Sequence, residues 1–288
     1  MLVIEKYMTI ENQKWILPSP KLVLQCIERW RDQDLRKLTD SEIDNQLSKF
    51  LDSLETYPVH TLQTTPFKLW RIRKFNYLFK DVEECWEPPS SKTPMGRCNA
   101  HRSPVLYTSM DLETPFEELN VEPDEQVYVI KYEVTESLNL KRIVSNDFVA
   151  TEYNAKSMLS YQILREFIKS EFLRPVGKGT EYLHRISSSM CRVWFHSEDS
   201  DGWVYPSVHA PSKTNIALKA RSAREKLRIK DVRIVRLVPK GNVKNHIEKF
   251  QSHPFYNLIS MAIETDFKGE VINDQLSWNP STEIGGIF

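Results

Sequence analysis

The chain has 288 residues, 40% hydrophobic and 27% charged, the balance of a globular protein with a real core and not of a disordered or fibrous one. Lysine plus arginine equals aspartate plus glutamate at 39 each, so no net basic footprint exists for a general grip on nucleic acid. The four cysteines, Cys26, Cys85, Cys98 and Cys191, form no Cys-x-x-Cys pair and lie near no histidine cluster; this argues against a metal site and fits free thiols in a reducing compartment. No apolar run reaches the length of a membrane span, and Glu5, Lys6 and Glu11 interrupt the first residues, so neither an anchor nor a signal peptide is predicted and the cytoplasm is the expected location.

Pro18-Ser19-Pro20 marks a turn, after which Val23, Cys26, Ile27 and Trp30 recur at helical spacing and predict a helix over 21–31. A second helix follows, with Ser41 as its N-cap, Ile43, Leu47, Phe50, Leu51 and Leu54 as its apolar face, and Pro58 beyond its end. Together they make an N-terminal helical extension, residues 1–65, that packs on the main domain or offers a surface to a partner. From Pro66 the texture changes. Phe67–Arg73 alternates apolar and basic residues, as a strand with one wet face does, and residues 80–94 are rich in acid, proline and serine, as loops are. Pro104–Tyr107 is a short buried strand. Thr114-Pro115-Phe116-Glu117 is a helix start, with Thr114 and Glu117 as a capping box, which leaves Glu118 for another task.

Gln126–Val134 alternates strongly, with Tyr128, Ile130, Tyr132 and Val134 on one face, and predicts a strand; residues 156–172 carry Leu159, Ile163, Leu164, Phe167, Ile168 and Phe172 on one helical face. A helix is predicted around Tyr182–Met190, then strands through Val193-Trp194-Phe195, through Gly202–Val208 and through Val232–Val238. Helices are predicted after Pro239, including His253–Ile263, ahead of a frayed tail. Strands and helices mix without a βαβ rhythm, so the predicted class is α+β with a mixed twisted sheet, divided as 1–65 (extension), 66–240 (main domain) and 241–288 (C-terminal helical segment and tail).

The chemistry concentrates in Met95–Glu118, which packs Arg97, Asn99, Tyr107, Ser109 and Glu118 around one strand. A cation, an amide, a phenol and a carboxylate so placed suit a charged, hydroxyl-rich ligand, although any one of them alone is as well explained by a strand end with a surface ion pair. In order along the chain stand Leu69-Trp70-Arg71, Gly96-Arg97-Cys98-Asn99, Pro104-Val105-Leu106-Tyr107-Thr108-Ser109, Glu118 and Tyr205-Pro206-Ser207. This order resembles the signature of the RES-domain family, named for its Arg, Glu and Ser residues. Cys98 stands where that family usually has tryptophan, and either Arg71 or Arg73 can be its first arginine.

The resemblance implies a fold like that of ADP-ribosyltransferases, NAD as the substrate, and no metal. It implies an NAD-consuming enzyme that cleaves the nicotinamide–ribose bond by hydrolysis or phosphorolysis, toxin-like, and paired with an antitoxin of helix-turn-helix type. Inorganic phosphate is then a co-substrate in the phosphorolytic case, and a homodimer is compatible. The residues carried over are Arg71, Glu118 and Ser207 as catalytic, with Arg71, Arg97, Asn99, Tyr107 and Ser207 binding NAD. Independently of the resemblance, guanidinium forks match a pyrophosphate, and a carboxylate opposes the positive charge that builds on ribose as a glycosidic bond breaks. An ADP-ribosyltransferase acting on a protein, and a non-catalytic binding module, remain the alternatives.

Overall fold

The structure is a computed structural model that describes residues 10–11, 14–15, 17–51, 59–62, 67–143, 155–196, 198–210, 212–239 and 261–286. In chain order its elements are β1 (Ile10–Glu11), β2 (Lys14–Trp15), α1 (Pro20–Arg31), α2 (Asp40–Leu51), β3 (Val59–Leu62), β4 (Lys68–Lys74), β5 (Val105–Ser109), α3 (Glu113–Glu118), β6 (Gln126–Val134) and β7 (Leu138–Arg142). They continue with α4 (Ala155–Leu173), α5 (His184–Val193), β8 (Gly202–Pro206), β9 (Thr214–Lys219), α6 (Ala220–Lys226), β10 (Leu227–Pro239), β11 (Met261–Ile272), β12 (Gln275–Pro280) and β13 (Ile284–Gly286). The class is α+β, as the mixed pattern predicts. The chain divides into two compact units, one made of Met1–Leu62, Pro89–Val105 and Leu138–Pro211, the other of Gln63–Pro88, Leu106–Ser137 and Ser212–Phe288.

In the first unit, Ser19 caps α1 by accepting the Leu22 amide, and Val23, Ile27 and Trp30 form the buried stripe that packs on α4. Helix α2 is capped two residues earlier than Ser41: Thr39 Oγ1 accepts the Glu42 amide while Glu42 returns its carboxylate to the Thr39 amide at 2.7 Å, a reciprocal capping box. Its Ile43 and Leu47 are fully buried against α5, and polar ties help fix the pair. Arg185 donates to Asp40, Arg192 to Asp44, and the Trp194 indole to the Leu47 carbonyl. Leu54 and Pro58 lie outside the described residues. Within α4, Leu164, Phe167, Ile168 and Phe172 are buried, whereas Leu159 is exposed. Strand β7 pairs with β3 antiparallel and with β8 parallel. The strand predicted through Val193–Phe195 is not formed: Val193 ends α5, and the Trp194 and Phe195 amides both donate to the Met190 carbonyl, closing the helix.

The second unit is a sheet in the order β12-β11-β10-β6-β4-β5-β9, with β13 also paired to β11. Alternation divides its residues between two faces. One face carries Ile72, Val127, Val129, Val235, Leu237 and Ile263, covered by Phe116 of α3. The other carries Tyr128, Ile130 and Tyr132; Phe79 stacks on Tyr128 with ring centroids 3.7 Å apart, and Trp278 donates to the Phe79 carbonyl. The helix predicted over 253–263 lies partly outside the described residues; its described end, Met261–Ile263, belongs to strand β11. The tail expected to fray is paired as β12 and β13. Between β11 and β12, Asn273 and Asp274 both take positive φ (50° and 61°), the two-residue turn that matches strand twist and that Asn and Asp tolerate best.

Candidate functional site

Strand β5 is the structural origin of the carboxylate site. It delivers Ser109, which is buried and whose hydroxyl donates to Asn215 Oδ1 at 2.6 Å. Asn215, on β9 and also buried, turns its Nδ2 to Glu118 Oε1 at 2.8 Å. Glu118 is the last residue of α3, so a short helix and a two-residue polar relay fix where the carboxylate stands. The start of that helix differs from the predicted capping box. Asp111 Oδ1 accepts both the amide and the hydroxyl of Thr114, at 2.8 and 2.9 Å, and Glu117 takes no part in the cap. Instead Lys213 gathers the neighbouring acids: its ammonium is hydrogen-bonded to Glu113 and lies 3.8 Å from Asp111 and 3.6 Å from Glu117. Burial alone would lower the Lys213 pKa, but the Glu113 bond and the charges of Glu117 and Asp111 raise it. Asp111, Glu113 and Glu117 thus share one cation, and Glu118 accepts from Asn215. Tyr107, half-buried, precedes Ser109 by two residues and shares its side of β5.

Arg71 lies elsewhere in this unit. Trp70 is the cross-strand partner of Ser109, and Arg71 that of Ile130, so alternation places Arg71 on the face opposite Ser109. Its Nη1 donates to the carbonyls of Cys85 and Trp86, at 3.2 and 2.5 Å, and the Tyr132 hydroxyl donates to the same Cys85 carbonyl. Arg73, two residues on and on the same face, donates to the Glu84 carbonyl at 2.6 Å and lies over the Phe79 ring. Both arginines therefore fasten the 79–86 segment to the sheet. Burial, with the Arg71 charge adding to it, lowers the Arg73 pKa, and burial pushes the Cys85 thiol up to about 12.

In the first unit, Arg97 spends both ends of its fork on α4. Nη1 donates to the Phe172 carbonyl at 2.7 Å and Nη2 to that of Arg174 at 3.0 Å, satisfying acceptors that a helix C-terminus leaves open. Burial first, and the Arg97 charge second, lower the pKa of His184 to about 4. Asn99 Nδ2 donates to the Pro94 and Ala100 carbonyls at 2.8 Å each, and the main chains of Gly96 and Asn99 pair across the same turn. Cys98, where the family usually has tryptophan, is buried beside Cys191. Ser207 follows β8, is fully buried, and accepts the Ala210 amide at 3.1 Å, the bond that sets a serine turn. Of the residues singled out by sequence, Tyr107 and Glu118 share a neighbourhood, Arg71 lies on the opposite face of the same unit, and Arg97, Asn99 and Ser207 each organise a loop of the first unit. Asn215 was missed; a lone amide ahead of the apolar run Ile216-Ala217-Leu218 was the signal available.

A family model described as RES domain matches residues 68–239, well over half of the chain. The chain belongs to the RES-domain family. Among solved structures, the crystal structure of the M. tuberculosis MbcT–MbcA toxin–antitoxin complex contains a similar chain at 10% identity, with 59% of this chain and 84% of that chain covered and a TM-score of 0.36; a likeness so distant carries no functional argument. No curated protein gives a significant match. Among the described residues of this RES-domain protein, no group of three or more His, Cys, Asp or Glu is placed to hold a metal ion, and no helix is long and apolar enough to cross a membrane.

Proposed function

We propose that this RES-domain protein consumes NAD by breaking the bond between nicotinamide and ribose, with Glu118 as the catalytic carboxylate. The observation that carries the proposal is the Ser109–Asn215–Glu118 relay, which holds one carboxylate oxygen by a hydrogen bond from a buried amide. As the C–N bond lengthens, its electron pair leaves with nicotinamide, which departs neutral, and positive charge spreads over C1′ and the ring oxygen of the ribose. A fixed carboxylate beside that ring favours the charged transition state over the ground state, which is the condition for acceleration. Because the leaving group needs no proton, the chemistry asks for no strong general acid. Tyr107, on the same side of β5 as Ser109, offers an aromatic surface for a nicotinamide or ribose face.

The carbonyl bonds of Arg71 and Arg97 support a positioning role for both, one holding residues 79–86 and the other the end of α4. Asn99 and Ser207 are assigned the same kind of work in their own turns. Water as the acceptor gives ADP-ribose; inorganic phosphate gives its phosphorylated counterpart; a protein nucleophile gives ADP-ribosylation. A toxin held in check by an antitoxin belongs to the same proposal, on the strength of the family. The test is to incubate the purified protein with NAD, with and without phosphate, and to separate the products. Nicotinamide release that disappears in Glu118→Gln supports the assignment, and wild-type protein that releases none under either condition overturns it. Label carried from NAD onto protein instead of into free ADP-ribose identifies the transferase.

A further inference from the structure

The α3-covered face of the second unit's sheet holds a cavity of about 420 Å³, within the range of small-molecule sites. Trp70, Leu112, Val129, Val235 and Ile263 give it apolar walls, and the side chain of Ile284, 69% exposed, stands at its mouth. The four charged groups around it answer one another. Lys131 lies across the strands from Asp231, and Arg233 meets Asp231 at 2.6 Å and Glu283 at 3.4 Å, so two cations face two carboxylates. Thr265 is the exception. It lines the cavity, is 3% exposed, and its hydroxyl has no hydrogen-bond partner among the described residues. A buried hydroxyl in that state costs free energy and calls for a partner from outside the fold. The strand register puts it there. Phe267 opposes Ile234, so an unbroken register would set Asp266 opposite Val235; a bulge sets Thr265 opposite Val235 instead, and Asp266 bonds to Gln126 and Arg236. The position facing the cavity thus carries a hydroxyl in place of a charge.

We infer that this cavity binds an uncharged small molecule with an apolar body and one hydrogen-bonding group, the group on the Thr265 hydroxyl and the body against Trp70, Val129 and Val235. The balanced lining charges select neutrality: an ion entering the cavity gives up hydration and meets no unopposed counter-charge. The apolar walls select the body, and its entry takes the Ile284 side chain out of water. Thr265 selects the polar group, because a ligand without one leaves the hydroxyl unpaired. Ser109, Asn215 and Glu118 are not among the lining residues, so this site is independent of the NAD reading.

The probes are three molecules of one shape, 3-phenylpropan-1-ol, 3-phenylpropylammonium and 3-phenylpropanoate, titrated calorimetrically into the full-length protein at pH 7. The alcohol is expected to bind at least ~10-fold tighter than either ion. Thr265→Val keeps the shape of the side chain and removes the hydroxyl; it is expected to weaken the alcohol about 5-fold, the loss of one hydrogen bond, while Thr265→Ser retains most of the affinity. Because the hydroxyl has no partner in the fold, Thr265→Val should melt no lower than wild type and leave any nicotinamide release unchanged. An ion that binds as tightly as the alcohol, no binding of any of the three, alcohol affinity unaltered in Thr265→Val, or a lowered melting temperature in that variant would each overturn the inference. Failure of the NAD assay leaves this test standing, and failure here leaves Glu118 untouched.

Discussion

Replacing Asn215 by alanine removes the middle of the relay that fixes Glu118. Two bonds are lost at once: the 2.8 Å bond from Nδ2 to the Glu118 carboxylate and the 2.6 Å bond from the Ser109 hydroxyl to Oδ1. A hydrogen bond to a charged group contributes about 1.5–3 kcal/mol, and a buried hydroxyl left without its acceptor costs about 1–3 kcal/mol. Ser109 is only 2% exposed, so water does not readily replace the amide. The expected loss of stability is about 2–4 kcal/mol. Turnover should fall further than stability implies, because a carboxylate displaced by about 1 Å from the reacting ribose can cost on the order of 100-fold. Urea unfolding followed by tryptophan fluorescence gives the first quantity, and nicotinamide release under native conditions gives the second. Ser109→Ala/Asn215→Ala serves as the internal control. With the orphaned hydroxyl removed, the double variant should recover part of the stability but none of the activity. If Asn215→Ala unfolds within about 0.5 kcal/mol of wild type, the range of an inconsequential surface change, and turns over NAD normally, the relay is not what positions Glu118.

Other outcomes follow from the same geometry. Glu118→Gln keeps an acceptor for Asn215 but removes the charge; it should fold with an unchanged melting temperature and lose at least ~100-fold in nicotinamide release, as removal of one stabilising group commonly does. Arg97→Met strips two carbonyls at the end of α4 of their donors and should lower the urea midpoint by the equivalent of about 1–3 kcal/mol, most clearly at low salt. His184 is held neutral in the folded state to about pH 4, whereas the unfolded chain takes up its proton near pH 6.5. The unfolded state binds more protons between those values, so stability falls as pH drops from about 6.5 to 4, by on the order of 1–2 kcal/mol after allowance for the partly exposed ring. His184→Gln should flatten that part of the stability–pH curve, and a wild-type curve already flat there would contradict the depressed pKa.

Period alone was enough for much of the fold. The stripe Val23, Ile27, Trp30 and the alternation of Gln126–Val134 give α1 and β6 because each pattern matches one backbone geometry and buries one face. The strand through Val193–Phe195 failed for an equally local reason: three consecutive apolar residues suit a strand or a helix end alike, and the Met190 carbonyl settled which. Ser41 and the Thr114–Glu117 box were displaced by Thr39 and Asp111, because several oxygens near a helix start can cap it and the choice depends on the chain's direction of entry. Strands β11 to β13 were illegible because Met-Ala-Ile also fits a helix, and an Asn-Asp turn is readily taken for a frayed tail.

The site divides in the same way. The ordered motifs from Arg71 to Ser207 led to the RES-domain family, since a family signature is a property of sequence and requires no contacts. Asn215 lies 97 residues from the carboxylate it holds, so only the pairing of strands brings the two together. The arginines make the complementary point. A guanidinium binds any suitably placed oxygen, and sequence carries no record of which oxygens those are; tertiary structure gives Arg71 and Arg97 main-chain carbonyls, and gives Glu118 the amide of Asn215.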